Sequence, residues 1–208
     1  SGSTGAPKGV QISHNNLLEN FKGMVEDSEV VETDSILSWM PLYHNIGLIV
    51  SHMLGIYCNI DSYLMSTELF IYRPYLWMEK ISEHKVTLTC SPNFGYRYYL
   101  RGIMNRDCSK LDLSNLRIIL NGAEPISLKA CNTFLEMMKQ YHLRENVFQT
   151  GYGLSEATVS VTSTKVGRPL ENIWICGENQ NIGAPVQFLN SEAESSFAVE
   201  LVKVGRAH

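Results

Sequence analysis

Short apolar runs, each stopped by proline, glycine or asparagine and followed by an amphipathic stretch, recur along most of the chain, and this alternation limits the fold more than any other feature. Ser35-Ile36-Leu37-Ser38-Trp39-Met40 stops at Pro41, Val86-Thr87-Leu88-Thr89-Cys90 at Ser91-Pro92-Asn93, Arg117-Ile118-Ile119-Leu120 at Asn121-Gly122, and Val147-Phe148-Gln149 just before Gly151. Residues 63–65 form a shorter candidate strand. Helices are predicted over residues 46–57, 75–84, 94–104 and 127–141. An earlier helix is capped by Ser13, with Leu17, Leu18, Phe21, Met24 and Val25 on one face. Such alternation predicts an α/β fold, a mostly parallel β-sheet flanked by helices and joined by right-handed crossovers.

In an open parallel sheet, ligands lie beyond the carboxyl ends of the strands. Tyr43-His44-Asn45, Ser91-Pro92-Asn93, Asn121-Gly122-Ala123-Glu124 and Gly151-Tyr152-Gly153 all follow predicted strands, so they are expected to meet at one edge. That edge suits a nucleotide, which presents a flat apolar base, a ribose and a row of charges. The first nine residues, Ser1-Gly2-Ser3-Thr4-Gly5-Ala6-Pro7-Lys8-Gly9, supply turning glycines, hydroxyls and a lysine, the makings of an anion cradle. They do not form the nucleoside-triphosphatase P-loop, because Pro7 separates the last loop glycine from Lys8 and Gly9 stands where a hydroxyl should follow the lysine.

Composition narrows the function classes. With 17 basic and 21 acidic residues the net charge is −4, and the basic residues are scattered, which argues against a nucleic-acid surface. Five widely spaced cysteines show no metal-ligand spacing and read as free thiols. The longest apolar run, residues 46–57, is broken by Ser51 and His52 and is too short to span a bilayer. A soluble, cytoplasmic protein with no membrane insertion is expected.

Residues 1–10, Ser-Gly-Ser-Thr-Gly-Ala-Pro-Lys-Gly-Val, resemble the phosphate-loop signature of the adenylate-forming superfamily, which includes acyl-CoA synthetases, luciferases, nonribosomal peptide adenylation domains and fatty acyl-AMP ligases. Three further stretches agree in order: residues 40–48 (Met-Pro-Leu-Tyr-His-Asn-Ile-Gly-Leu), 121–125 (Asn-Gly-Ala-Glu-Pro) and 150–158 (Thr-Gly-Tyr-Gly-Leu-Ser-Glu-Ala-Thr). Ser91-Pro92-Asn93-Phe94-Gly95-Tyr96, the Asn121 motif and Gly153-Leu154-Ser155-Glu156-Ala157-Thr158 are most similar to the fatty acyl-AMP ligase branch. Amino-acid-activating relatives carry an aspartate for the substrate amine, whereas Phe94, Gly95 and Tyr96 offer no acidic group.

The resemblance implies ATP-dependent activation of a carboxylic acid, here a fatty acid, as an acyl adenylate. Pyrophosphate is released and the acyl group passes to the thiol of an acyl carrier protein. It places the β- and γ-phosphates on Lys8 with Ser1, Ser3, Thr4 and Gly5, and Mg2+ on Glu156 with Thr4. It sets Tyr152 against adenine between Gly151 and Gly153, with Asn121, Gly122 and Ala123 on the other side, and makes His44 an acyl-gating histidine. The Ser155 hydroxyl can reach the α-phosphate.

Residues 1–162 are expected to form the core of the ATP- and acyl-binding domain. Residues 163–208 are expected to hold a possible insertion and the start of a further subdomain. The family's C-terminal lysine-bearing domain is not matched, so the isolated chain is expected to be inactive. An amino-acid-activating domain of a nonribosomal peptide synthetase, an acyl-CoA synthetase and a noncatalytic nucleotide-binding module remain alternatives.

Overall fold

Helix α1 (His14–Ser28) begins where Ser13 leaves extended backbone. Ser13 Oγ accepts the Asn16 N–H at 3.2 Å while Asn16 Oδ1 accepts the Ser13 N–H at 2.9 Å, so each residue caps the other. The computed structural model describes residues 8–178 and 183–205. After α1 the elements follow as β1 (Ser35–Ser38), a π-wound segment (Ile46–Met53) running into α2 (Leu54–Tyr57), β2 (Asp61–Leu64), α3 (Thr67–Tyr72), α4 (Leu76–Glu83), β3 (Leu88–Cys90), α5 (Asn93–Ile103), β4 (Ile118–Asn121), α6 (Leu128–Met138), β5 (Phe148–Tyr152) and β6 (Thr162–Ser163).

Strands pair in the order β2-β1-β3-β4-β5-β6, all parallel except the antiparallel β5–β6 pair. Successive side chains go to opposite faces, as strand geometry requires. Leu37, Ile119 and Phe148 join a core with Trp77, Tyr96, Tyr99 and Phe134 from α4, α5 and α6. Ile36, Leu88 and Ile118 lie on the other face. There α1, the π-wound segment and α2 contribute Phe21, Met24, Ile49, Val50 and Leu54. The sheet is thus covered on both sides, which explains strands such as β1 in which all four residues are buried.

The sequence-predicted helix over residues 46–57 is helical throughout, but its first two turns are π-wound. A Cβ on Gly47 would sit 2.2 Å from the Pro41 carbonyl oxygen, so glycine lets this segment press against the end of β1. Gly151 and Tyr152, expected in the loop after β5, are instead its last two residues, because β6 pairs with them antiparallel. Residues 163–208, expected to hold a possible insertion and the start of a further subdomain, contain a second sheet. Strands β7 (Asn172–Cys176), β8 (Phe188–Leu189) and β9 (Ala198–Val202) pair antiparallel in the order β8-β7-β9. Thr150 and Thr162 donate to the carbonyls of Lys203 and Val204, each at 2.7 Å, tying the chain after β9 to β5 and β6. Among the described residues no helix is long and apolar enough to cross a membrane.

Candidate functional site

The carboxyl ends of β1, β4 and β5 surround one cavity of about 690 Å³, bordered by Tyr43-His44-Asn45, Gly122-Ala123 and the run from Gly151 to Ser155. None of its described lining residues is an Asp, Glu, Lys or Arg. Tyr43 and Tyr152 stand at its mouth with 92% and 53% of their surface exposed, so their ring faces are open for stacking on a planar group. His44 Nδ1 accepts the Ile46 N–H at 3.2 Å at the start of the π-wound segment, which leaves Nε2 to carry the proton of the neutral imidazole.

Two motif loops are stitched together by Asn45, whose Nδ2 donates to Ser155 Oγ at 2.8 Å and leaves the serine hydroxyl hydrogen to be given to a ligand. Ser155 opens a short 3-10 turn, Ser155–Ala157, and Thr158 then reverses the chain with φ 71° and ψ −67°. Val159 N–H closes the turn on Ala157 O at 2.9 Å, a positive-φ γ-turn that strains a β-branched residue. Gly153 sits beneath this reversal; a Cβ there would lie 1.7 Å from Val159 O. Ala123, in the facing loop, also has positive φ, 72°.

Of the residues singled out in the sequence, the fold gathers His44, Gly122, Ala123, Gly151, Tyr152, Gly153 and Ser155 around the cavity. Glu156 is exposed on an adjoining hollow of about 360 Å³, shared with Asn16, Glu19 and Asn20 of α1. Asn121 is placed differently from its expected position beside adenine. It is fully buried, donating to Asn93 Oδ1 and Cys131 Sγ at 3.2 Å each, on the α5–α6 side of the sheet. Asn93 in turn holds Pro125 O and Ser127 N, so this pair supports the Gly122–Ala123 loop from below. Ser91-Pro92-Asn93 therefore braces the site rather than lining it. Lys8 is exposed and borders neither cavity. Ser1, Ser3, Thr4 and Gly5 lie outside the described residues.

No group of three or more His, Cys, Asp or Glu converges among the described residues. Glu19 is paired with Lys22 at 2.7 Å, leaving Glu156 as the carboxylate of this hollow without a cation partner among the described residues. One carboxylate is a donor set that fits Mg2+, which takes one or two protein carboxylates and keeps its other positions for phosphate and water. Two residues of the site escape a sequence reading. Asn45 shares its motif with His44, and its role needs the distance to Ser155. Asn20 carries no local signal at all: its Oδ1 accepts the Ser160 N–H at 3.1 Å and its Nδ2 donates to Ser160 O at 2.8 Å, across 140 residues.

Residues 1–192 match the model of the AMP-binding enzyme family. The chain belongs to that family. It is 33% identical over 187 residues to the 4-hydroxyphenylalkanoate adenylyltransferase of Mycobacterium tuberculosis, covering 88% of this chain and 30% of that protein. It is 34% identical to the medium-chain fatty-acid acyl-carrier-protein ligase JamA of Moorena producens, covering 86% of this chain and 30% of that protein. A crystal structure of a fatty acyl-adenylate ligase from L. pneumophila, in complex with acyl adenylate and pyrophosphate, superposes with a TM-score of 0.91 at 34% identity, covering 100% of this chain and 36% of that one. The chain spans about a third of the length of these AMP-binding relatives.

Proposed function

We propose that the protein containing this chain uses ATP to activate a fatty acid as its acyl adenylate, then delivers the acyl group to the thiol of an acyl carrier protein. The observation that carries this reading is the uncharged cavity at the carboxyl edge of the sheet, where three motif loops face a common space next to Glu156. A cavity with no carboxylate among its described lining suits an acyl tail better than an amino acid, whose buried ammonium would need an anionic partner. Two of the relatives point the same way, JamA as a fatty-acid acyl-carrier-protein ligase and the L. pneumophila protein as a fatty acyl-adenylate ligase.

In the reaction a carboxylate oxygen attacks the α-phosphorus, a new P–O bond forms, and the bond to the β-phosphate bridging oxygen breaks as pyrophosphate leaves. Bringing two anions together calls for positioning and for donors aimed at the developing charge. Tyr152 stacks on the adenine, and Gly122 with Ala123 closes the opposite side through backbone alone. Ser155, its oxygen already occupied by Asn45, donates its hydroxyl hydrogen to the α-phosphate. His44, exposed at the mouth, borders the path of the acyl group. Lys8, with Ser1, Ser3, Thr4 and Gly5, neutralises the β- and γ-phosphates, and Glu156 with Thr4 holds Mg2+, which supplies charge neutralisation of the departing pyrophosphate.

Fatty-acid-dependent exchange of labelled pyrophosphate into ATP by the full-length protein tests the proposal. Glu156→Ala is expected to abolish exchange while leaving the thermal melt unchanged, since this side chain is exposed. Normal exchange by Glu156→Ala would remove the metal assignment, and absence of exchange by the unmodified protein with any acid would remove the activity.

A further inference from the structure

The cavity does not end in hydrocarbon. Helix α1 runs from the carboxyl edge of the sheet, where Asn20 holds Ser160, back to its amino edge, where Arg117 Nη1 donates to Ser28 O at 2.9 Å. Along that path the wall is apolar, with Met24, Val50, Leu54, Leu120 and Val159. Gln149 lies two residues deeper than Gly151 on β5, about 7 Å further from the mouth. At that depth the lining changes to Ser28 and Gln149, and Ser163, paired with Gly151 on the neighbouring strand, joins them through its bond to Asp27.

The hydrogen bonding of this floor is determined. Gln149, 1% exposed, gives both amide hydrogens away, to Asp27 O at 3.2 Å and Thr164 O at 2.8 Å. Its Oε1 therefore faces Ser28, which must be the donor of their 2.8 Å bond. The Ser163 hydroxyl hydrogen is committed likewise, to Asp27 Oδ2 at 2.7 Å. With those hydrogens spent, the three side chains offer only lone pairs to the cavity: one on Gln149 Oε1 and those of the two serine oxygens.

We propose that this acyl pocket takes a carboxylic acid whose far end carries a hydrogen-bond donor, a hydroxyl in the first instance, received by Gln149, Ser28 and Ser163. This rests on the acyl-activating role proposed above and adds the substrate class. A terminal carboxylate is disfavoured, because it would meet acceptors only and lie near Asp27. A terminal methyl is tolerated at a cost, since each floor oxygen already has a partner. Discrimination is therefore about tenfold, the worth of one net hydrogen bond, rather than the much larger factor of a site left wholly unpaired.

The experiment is pyrophosphate exchange by the full-length protein with matched pairs of acids, from hexanoate to dodecanoate, each alkanoate beside the ω-hydroxy acid of the same backbone length. At the best length the hydroxy acid is expected to have the higher kcat/KM, by about tenfold. Gln149→Leu is expected to reverse the order. Ser163→Ala, which leaves the Gln149 brace in place, should shrink the ratio several-fold, so a poorly folding Gln149 variant does not decide the outcome. Equal use of both acids, or preference for the alkanoate by the unmodified protein, would overturn the proposal while leaving acyl activation standing. Exchange with no acid of either kind would overturn both.

Discussion

Replacing Asn20 by alanine cuts the tie between helix α1 and the loop that carries Ser155 and Glu156. Three hydrogen bonds are lost: 2.8 Å to Ser160 O, 3.1 Å from Ser160 N–H and a long one of 3.4 Å to Ala157 O. The two good ones are worth about 1 kcal/mol each and the third little, a loss of about 2 kcal/mol, because half-buried Ser160 groups regain water in the variant. The chemical consequence should be larger than the structural one. Glu156 sits between Ser155 and the strained Thr158 turn, and a shift of that loop by about 1 Å costs roughly a hundredfold in rate. Urea unfolding followed by the fluorescence of buried Trp39 and Trp77 reads the first effect, and pyrophosphate exchange against Mg2+ concentration reads the second. The expected result is a lower unfolding midpoint together with a tenfold to hundredfold loss of exchange that added Mg2+ partly restores. Stability within about 0.5 kcal/mol of the parent, the scatter of ordinary surface changes, with an unaltered Mg2+ requirement would refute the reasoning.

Gly153→Ala should fail at the site before it fails in the fold, since its Cβ would meet the Val159 carbonyl and must displace the motif loop; normal exchange by this variant would contradict the close approach. Ala123→Gly, which relieves an exposed alanine of a left-handed φ of 72°, is expected to raise the urea midpoint by the equivalent of up to about 1 kcal/mol. Arg117→Ala removes both bonds to buried Asp34 and those to Ser28 O and Glu29 O, and should cost about 3–5 kcal/mol in urea unfolding. Burial alone pushes the Asp34 carboxyl up, but bonds from Arg117, Val31 and Thr87 outweigh it and hold it below the ordinary value. The stability from this group is therefore complete above the unfolded-state value of about 3.9 and lost as pH falls through the lower folded value. Urea midpoints measured down a pH series should show Arg117→Ala losing stability at a higher pH than the parent.

Much of the sheet is legible because local and global signals agree. Ser13 reads as a cap and is one, and the runs ending at Pro41, Ser91 and Asn121 are strands β1, β3 and β4 with ends moved by a residue or two. The convergence of His44, Gly122 and Tyr152 follows from parallel topology, which places strand ends on one edge. What escapes is set by long-range pairing. Gly151 and Tyr152 read as turn residues, yet β6 draws them into the ladder. Residues 198–202 alternate in exposure, a weak strand signal that becomes a strand only through pairing with β7. Asn121 sits in a motif with Gly122, and strand alternation decides that its side chain leaves on the opposite face from the cavity. The π winding after Asn45 has no local sequence mark beyond the apolar run itself.

The most direct test is a structure of the full-length protein with a non-hydrolysable acyl-adenylate analogue. The expected result has adenine stacked on Tyr152 beside Gly122 and Ala123, the phosphate mimic within hydrogen-bond reach of Ser155 Oγ, and the acyl tail descending past Val50 toward Gln149. An analogue bound at any other edge of the sheet, with this cavity left to solvent, would contradict the account.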